Sequence, residues 1–184
     1  MAAAPRAWAA DLLHTWFHTL GPRDWFTRDP AVDAMLRARF ARCWQMLHTQ
    51  PAASFLSDPE TALAAVVLFD QVPRNLHRGS AQAFASDRLA RSVARGALAR
   101  GWDRTLTASQ RQFLAMPLMH SEAIADQRRA LAIYARLGRR HGWPSARGHW
   151  RMIARFGRFP HRNAALGRPS TEAETRAVKA GFAW

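Results

Sequence analysis

The chain has 184 residues, one cysteine and a formal charge of +14, carried by 26 Arg and one Lys against 13 acids. That length fits one domain spanning 1–184, able to bury roughly 70% of its unfolded surface without staples, and the lone thiol Cys43, in the apolar "FARCWQML", excludes an internal disulfide. The longest aliphatic run, "ALAAVVLF" from Ala62 to Phe69, is far short of the ~20 residues that span a bilayer.

"MAAAPRAWAADLLHTWFHTL" is broken by Asp11 and two histidines before an apolar signal region can form. A soluble, cytoplasmic protein with no membrane partner is the expectation. The charge is arginine scattered through every segment of a chain also rich in Ala, Gly, Pro and Trp, a composition that a GC-rich genome produces. A nucleic-acid arm shows a local basic run instead, which ranks nucleic acid below other partners.

Apolar residues recur at helical spacing throughout, so the fold class is all-α, with about seven to nine helices. The first helix covers about Arg6 to Leu20, with Trp8, Leu12, Thr15 and Trp16 on one stripe, and stops at Gly21-Pro22. Asp29 then caps a helix opened by Pro30, with Met35, Phe40, Trp44 and Leu47 inward. Asp58-Pro59 repeats that start signal for a nearly all-apolar, central helix to about Gln71. After the irregular "VPRNLHRGS", Ser86 or Asp87 caps a helix to about Gly101, and "TASQ" at Thr107 to Gln110 is a capping box. Pro117 interrupts the helix that follows, and a long amphipathic helix runs from about Ser121 to Gly138. Ser145 caps the next, to about Phe156, and Thr171 with Glu174 forms a second capping box for the last.

Polar residues gather where this pattern predicts burial or helix ends. One group is Asp70, Gln71, Arg74, Asn75 and Arg78; a second is His120, Ser121, Glu122, Asp126 and Gln127; His149 stands alone; a fourth is Arg155, Arg158, His161, Arg162 and Asn163. Helix ends use such side chains to satisfy carbonyls, and each residue taken singly has that ordinary explanation. Together, three arginines and a histidine within eight residues repel unless acids or an anion lie among them. Asp70, Glu122 and Asp126 are the candidate acids of a salt-bridge network. An anion site is the sharper alternative, because planar guanidiniums near helix ends suit carboxylate and phosphate. No HExxH or paired ExxH spacing points to a metal, and no cofactor motif is present. Most of the eight tryptophans sit at core spacing.

Four long blocks, "DWFTRDPAVDAMLRARF", "LFDQVPRNLHRGSAQAFASDRLA", "FLAMPLMHSEAIADQ" and "RFGRFPHRNAALGRPSTEAE", follow one another along the chain. In these it resembles the bacterial family known as domain of unknown function 924, over nearly its whole length. The resemblance implies a tetratricopeptide-like helical fold and singles out "DQVPRN", "HSE" and "RFGRFPHRN"; it supplies no activity. Two positions depart from the family pattern: Val72 replaces an aromatic residue, and Ala123 stands where an acid follows "HSE".

The functional expectation is one concave polar pocket for a small anionic ligand, with no cofactor, at which catalysis is left open. Arg74, Arg158 and Arg162 contact the anion in this reading. Gln71, Asn75 and Asn163 orient it, Asp70, Glu122 and Asp126 support the arginines, and His120 and His161 are the candidates for proton transfer. The three family blocks are therefore expected to meet in space. The alternatives are a tetratricopeptide-like module that receives a protein or peptide partner and, behind it, nucleic-acid binding through the basic surface.

Overall fold

A computed structural model describes residues 6–181, and among them every regular element is helical. The chain divides into two compact units, one formed by residues up to 78 with 82–117, the other by 79–81 with 118 onward.

The first unit begins with α1 (Ala7–His14), which continues into a π-helical turn over Thr15–Thr19. The short α2 (Pro22–Phe26) follows, its Asp24 carboxylate accepting from the Gly21 N–H at 2.8 Å. The two Asp-Pro signals hold. Asp29 accepts from the Ala31 N–H at 2.7 Å to start α3 (Pro30–Leu47), and Asp58 accepts from the Thr61 N–H at 2.8 Å to start α4 (Pro59–Val66). Proline suits the next position because a helix's first N–H groups lack internal partners anyway.

α4 runs into a second π-helical turn, Val67–Gln71, and every residue from Thr61 to Gln71 is buried. This is the centre of the first unit, with α1 and α6 (Asp87–Ala99) packed on it and α5 (Val72–Leu76) following it. A π turn carries one extra residue and so resets which face the following side chains present. Asp70 lands inside, at 0% exposure. Nearby, α7 (Ala108–Met119) contributes Phe113, met edge-on by Trp16, Phe17 and Trp25 with ring centroids 5.0–5.6 Å away.

Three local expectations are corrected. Pro117 does not break α7, which continues two residues past it; the missing N–H falls in the last turn, where the helix is ending. Ser145 is not a cap, because α9 starts at Trp143 with Pro144 in its first turn and Gly142 ahead of it at φ +89°. Ser86 precedes α6, but its hydroxyl donates to the Phe69 carbonyl at 2.7 Å and accepts from Trp44 Nε1 at 2.9 Å instead of capping. Both capping boxes are present, at Thr107 with Gln110 and at Thr171 with Glu174.

In the second unit α8 (Ile124–Leu137) packs against α9 (Trp143–Phe156). Gly138 (φ +81°) and Gly142 (φ +89°) reverse the chain between them in a region that side chains resist. α9 ends at Gly157, φ +68°, and a turn over residues 159–168 leads to α10 (Glu172–Lys179). Phe159, fully buried, packs with Met152, Ile153 and Ala177, and Phe156 closes the cluster from its edge. The turn thus hangs on a phenylalanine core, which fixes the polar residues beside it.

Candidate functional site

The polar turn of the first unit is internally satisfied. Arg74 donates from Nη1 and Nη2 to the two carboxylate oxygens of Asp87, both at 3.0 Å, and from Nη1 to the Asp70 carbonyl. The Asp70 carboxylate lies 3.5 Å from Arg74 and accepts from Gln71 Nε2, 2.5 Å away. Burial disfavours the Arg74 charge, but Asp70 and Asp87 outweigh it and hold the guanidinium pKa above its ordinary value. Asn75 donates to the Gln71 carbonyl at 3.1 Å and accepts from Arg78 at 2.8 Å, while Arg78 forks onto Asp33 at 2.7 and 2.8 Å. The first unit also carries an open cleft of about 440 Å³, whose lining includes His48, Gln50, Pro51 and Arg88. None of the candidate site residues lines it.

The second unit brings "HSE" and "RFGRFPHRN" together. Glu122 Oε1 accepts from the Phe159 backbone N–H at 2.8 Å, and Arg168 donates to both Glu122 oxygens at 2.9 and 3.0 Å and to the Phe159 carbonyl at 3.2 Å. Arg168, absent from the sequence-derived set, is thus the clamp between the blocks. Burial opposes ionisation of Glu122, but Arg168, the Phe159 amide and the field of Arg162 hold its carboxyl below the usual glutamate range.

Three nitrogen-rich side chains stand around the Phe159 ring, and a fourth, His120, stands beside one of them, His149. The Arg162 guanidinium carbon lies 4.5 Å from the ring centroid, with only 6% of the residue exposed. The His149 and His161 rings lie 5.4 and 5.6 Å from Phe159, and His120 lies 5.7 Å from His149. His149 is buried, whereas His120 and His161 are half-buried. His149 Nδ1 donates to the Ser145 carbonyl at 2.8 Å, a contact that requires the proton on Nδ1 because a carbonyl only accepts. Burial first, then the fields of His120, Arg162 and His161, push its pKa down to about 2, against the carbonyl's opposite pull. The imidazole is neutral at physiological pH.

The remaining candidates shape the turn. Arg158 forks onto Glu174 at 2.6 and 2.9 Å and donates to the Pro169 carbonyl at 2.9 Å. Those bonds from Arg158, with the Thr171 cap, push Glu174 down to about 2. Asp126 accepts from the Ser121 hydroxyl at 2.7 Å, and Gln127 Nε2 donates to the Met119 and Ser121 carbonyls, both at 2.6 Å. Asn163 is 1% exposed; its Nδ2 donates to Ser170 Oγ at 3.1 Å, and its Oδ1 is buried without a hydrogen-bond partner, as is Nε of Arg168. Ala123 occupies the N-cap of α8 with no side-chain bond, so the acid implied there has a capping position's geometry.

The family model for bacterial proteins of unknown function, DUF924, matches residues 12–181. The chain belongs to the DUF924 family. It is also similar to the solved structure of a protein of unknown function from Agrobacterium tumefaciens, with 37% identity and a TM-score of 0.88 over 94% of this chain and 97% of that one. No functionally curated protein matches it. Among the described residues no helix is long and apolar enough to cross a membrane, and no three His, Cys, Asp or Glu residues converge as a metal site would require.

Sequence reasoning missed Arg168 and Glu174 as site partners, and did not place His149 among the proton-bearing candidates. Glu174 was visible only as a capping residue, and its second role needs the fold of the 159–168 turn.

Proposed function

We propose that the DUF924 turn over residues 159–168, with His120 and His149, forms a recognition site for a small oxyanion. The observation that carries this reading is the placing of a buried guanidinium and two imidazoles about Phe159, with a third imidazole beside His149, in a segment rich in arginine. From residue 118 to 181 thirteen Arg and Lys stand beside four acids; Glu122 is bonded by Arg168, Glu172 by Arg176 and Glu174 by Arg158, while Asp126 accepts from Ser121. An excess of guanidinium charge of this kind favours an anionic ligand.

In this reading Arg162 meets the anion, as charge-assisted bonds to a partly dehydrated guanidinium are the strong ones. Asn163 orients it, and His120 and His161 supply proton donors. Glu122 and Arg168 hold the turn, and Arg158 with Glu174 braces it from the other side. Gln71, Arg74 and Asn75, with Asp70, are taken as a brace of the first unit, since their own bonds account for them. Catalysis is not required by any of these contacts.

Melting curves with phosphate, sulfate, citrate and acetate, run on wild type and Arg162→Gln, test the proposal. Wild type should be stabilised by the multivalent oxyanions, by RT ln(1 + [L]/Kd), and the variant should lose most of that gain. Equal stabilisation of both proteins would instead make the cluster a structural network.

A further inference from the structure

We propose that the solvent face of α9 docks an acidic helix of a partner protein, at a site separate from the Phe159 cluster. Between Asp126 and Glu172 the chain has no acid, and eleven arginines fall in that interval. Arg158 and Arg168 are spent on Glu174 and Glu122, and Arg162 is buried. The other eight are exposed, on α8, on the turn after it and on α9, and no carboxylate among the described residues pairs with any of them.

On α9 these cations form a stripe. Arg147, Arg151 and Arg155 are four residues apart, so they recur about every 6 Å along one side of the helix. Its other side carries Ala146, His149, Met152 and Ile153, all buried. The stripe faces solvent because the apolar side of the helix is consumed by the core. Two of its guanidiniums are steadied by rings: Arg147 lies over Trp143 with its guanidinium carbon 5.9 Å from the centroid, and Arg155 over Phe156 at 5.0 Å. Such contacts restrict a long side chain before a partner arrives, which lowers the ordering cost of docking. Arg139 and Arg140, in the turn that leads into α9, extend the charge beyond its first residue.

The class of partner follows from what accompanies the arginines. No large apolar side chain is exposed on α9, so nothing there would enter a bilayer. Trp143, Trp150 and Phe156 are half-buried instead of standing clear to stack on bases. A second copy of the chain brings its own net charge of +14, which repels the stripe. An acidic helix matches it in pitch. Carboxylates placed at every fourth residue of a helix also recur about every 6 Å on one side, and a guanidinium takes a carboxylate through paired N–H groups.

Fluorescence anisotropy of a labelled alanine-rich helical peptide with Glu at every fourth position, beside a peptide of the same composition in scrambled order, tests the proposal on the full chain. At about 50 mM salt, where screening between exposed charges is weak, saturable binding is expected, tighter for the ordered peptide. Arg147→Gln, Arg151→Gln and Arg155→Gln together should weaken it about tenfold, the combined effect of three exposed ion pairs. The charge-matched set Arg23→Gln, Arg28→Gln and Arg42→Gln, at exposed positions of the first unit, should change it less than about twofold. All six positions are exposed and glutamine is a good helix former, so both variants should fold, as melting curves would show. Equal weakening by the two sets, or no preference for the ordered peptide, would reduce the effect to net charge and overturn the proposal. Absence of saturable binding would also overturn it. A single-stranded RNA of equal charge, bound more tightly than the peptide and released by the α9 substitutions, would overturn it in favour of nucleic acid.

Discussion

His149 gives the sharpest stability prediction. Its pKa is pushed down to about 2 in the folded chain, against about 6.5 in an unfolded one. A histidine with a lowered folded pKa binds more protons when unfolded, so its contribution to stability is present above pH ~6.5 and is lost as pH falls below that. Between pH 8 and pH 5 the linkage integral for one such group is about 2 kcal/mol, and nearly all of it precedes the titration of ordinary carboxylates. His77, also lowered by burial and by Arg37, acts in the same direction. Urea midpoints measured at half-unit pH steps, without oxyanions, would show the decline. His149→Asn retains an amide donor for the Ser145 carbonyl but cannot be protonated, so its decline over the same window should be clearly shallower. A wild-type midpoint that is flat from pH 8 to pH 5, or an equal slope in the variant, would refute the buried neutral imidazole.

Other substitutions separate packing from charge. Phe159→Ala removes a fully buried ring from the Met152, Ile153 and Ala177 cluster and should cost about 3–5 kcal/mol in denaturant titrations. Ala123→Ser supplies the missing N-cap of α8 and should raise stability by about 0.5–1 kcal/mol in the same assay, with no effect on anion binding. Glu174, held at about 2, contributes stability that is present above the unfolded glutamate value of about 4.3 and lost as pH falls toward 2. Glu174→Gln should therefore be less stable at neutral pH and flatter in acid, seen as a shallower fall of melting temperature below pH 5. Binding to mixed-sequence duplex DNA at physiological salt should be weak, and submicromolar affinity with a salt slope near 0.9 per phosphate would restore nucleic acid as the partner.

The helices were legible because their start signals are local. Asp29-Pro30 and Asp58-Pro59 place a carboxylate and a proline where a first turn needs them, and both act as expected. The π turn at Val67–Gln71 was not legible, since one extra residue in a turn leaves an apolar run looking like any buried helix. Pro117 misled because a proline removes one bond to the turn before it without having to end the helix, and α7 runs through it for two more residues. In the site, the residue types were readable but their pairing was not. Arg158 lies sixteen residues from Glu174, and Arg168 forty-six from Glu122, distances over which only the folded 159–168 turn decides the partner. The family resemblance singled out two blocks, "HSE" and "RFGRFPHRN", that the fold joins through Glu122, Phe159 and Arg168, and it carried no chemistry.

The proposed occupant of the Phe159 cluster is an oxyanion. Amide-resolved NMR of the full chain, titrated with phosphate at constant ionic strength, tests it most directly. Saturable shifts concentrated at Phe159, Arg162, Asn163 and the residues around His120, and lost in Arg162→Gln, are the expected result. Shifts that do not saturate, or that map instead to the His48 and Arg88 cleft, would contradict the claim.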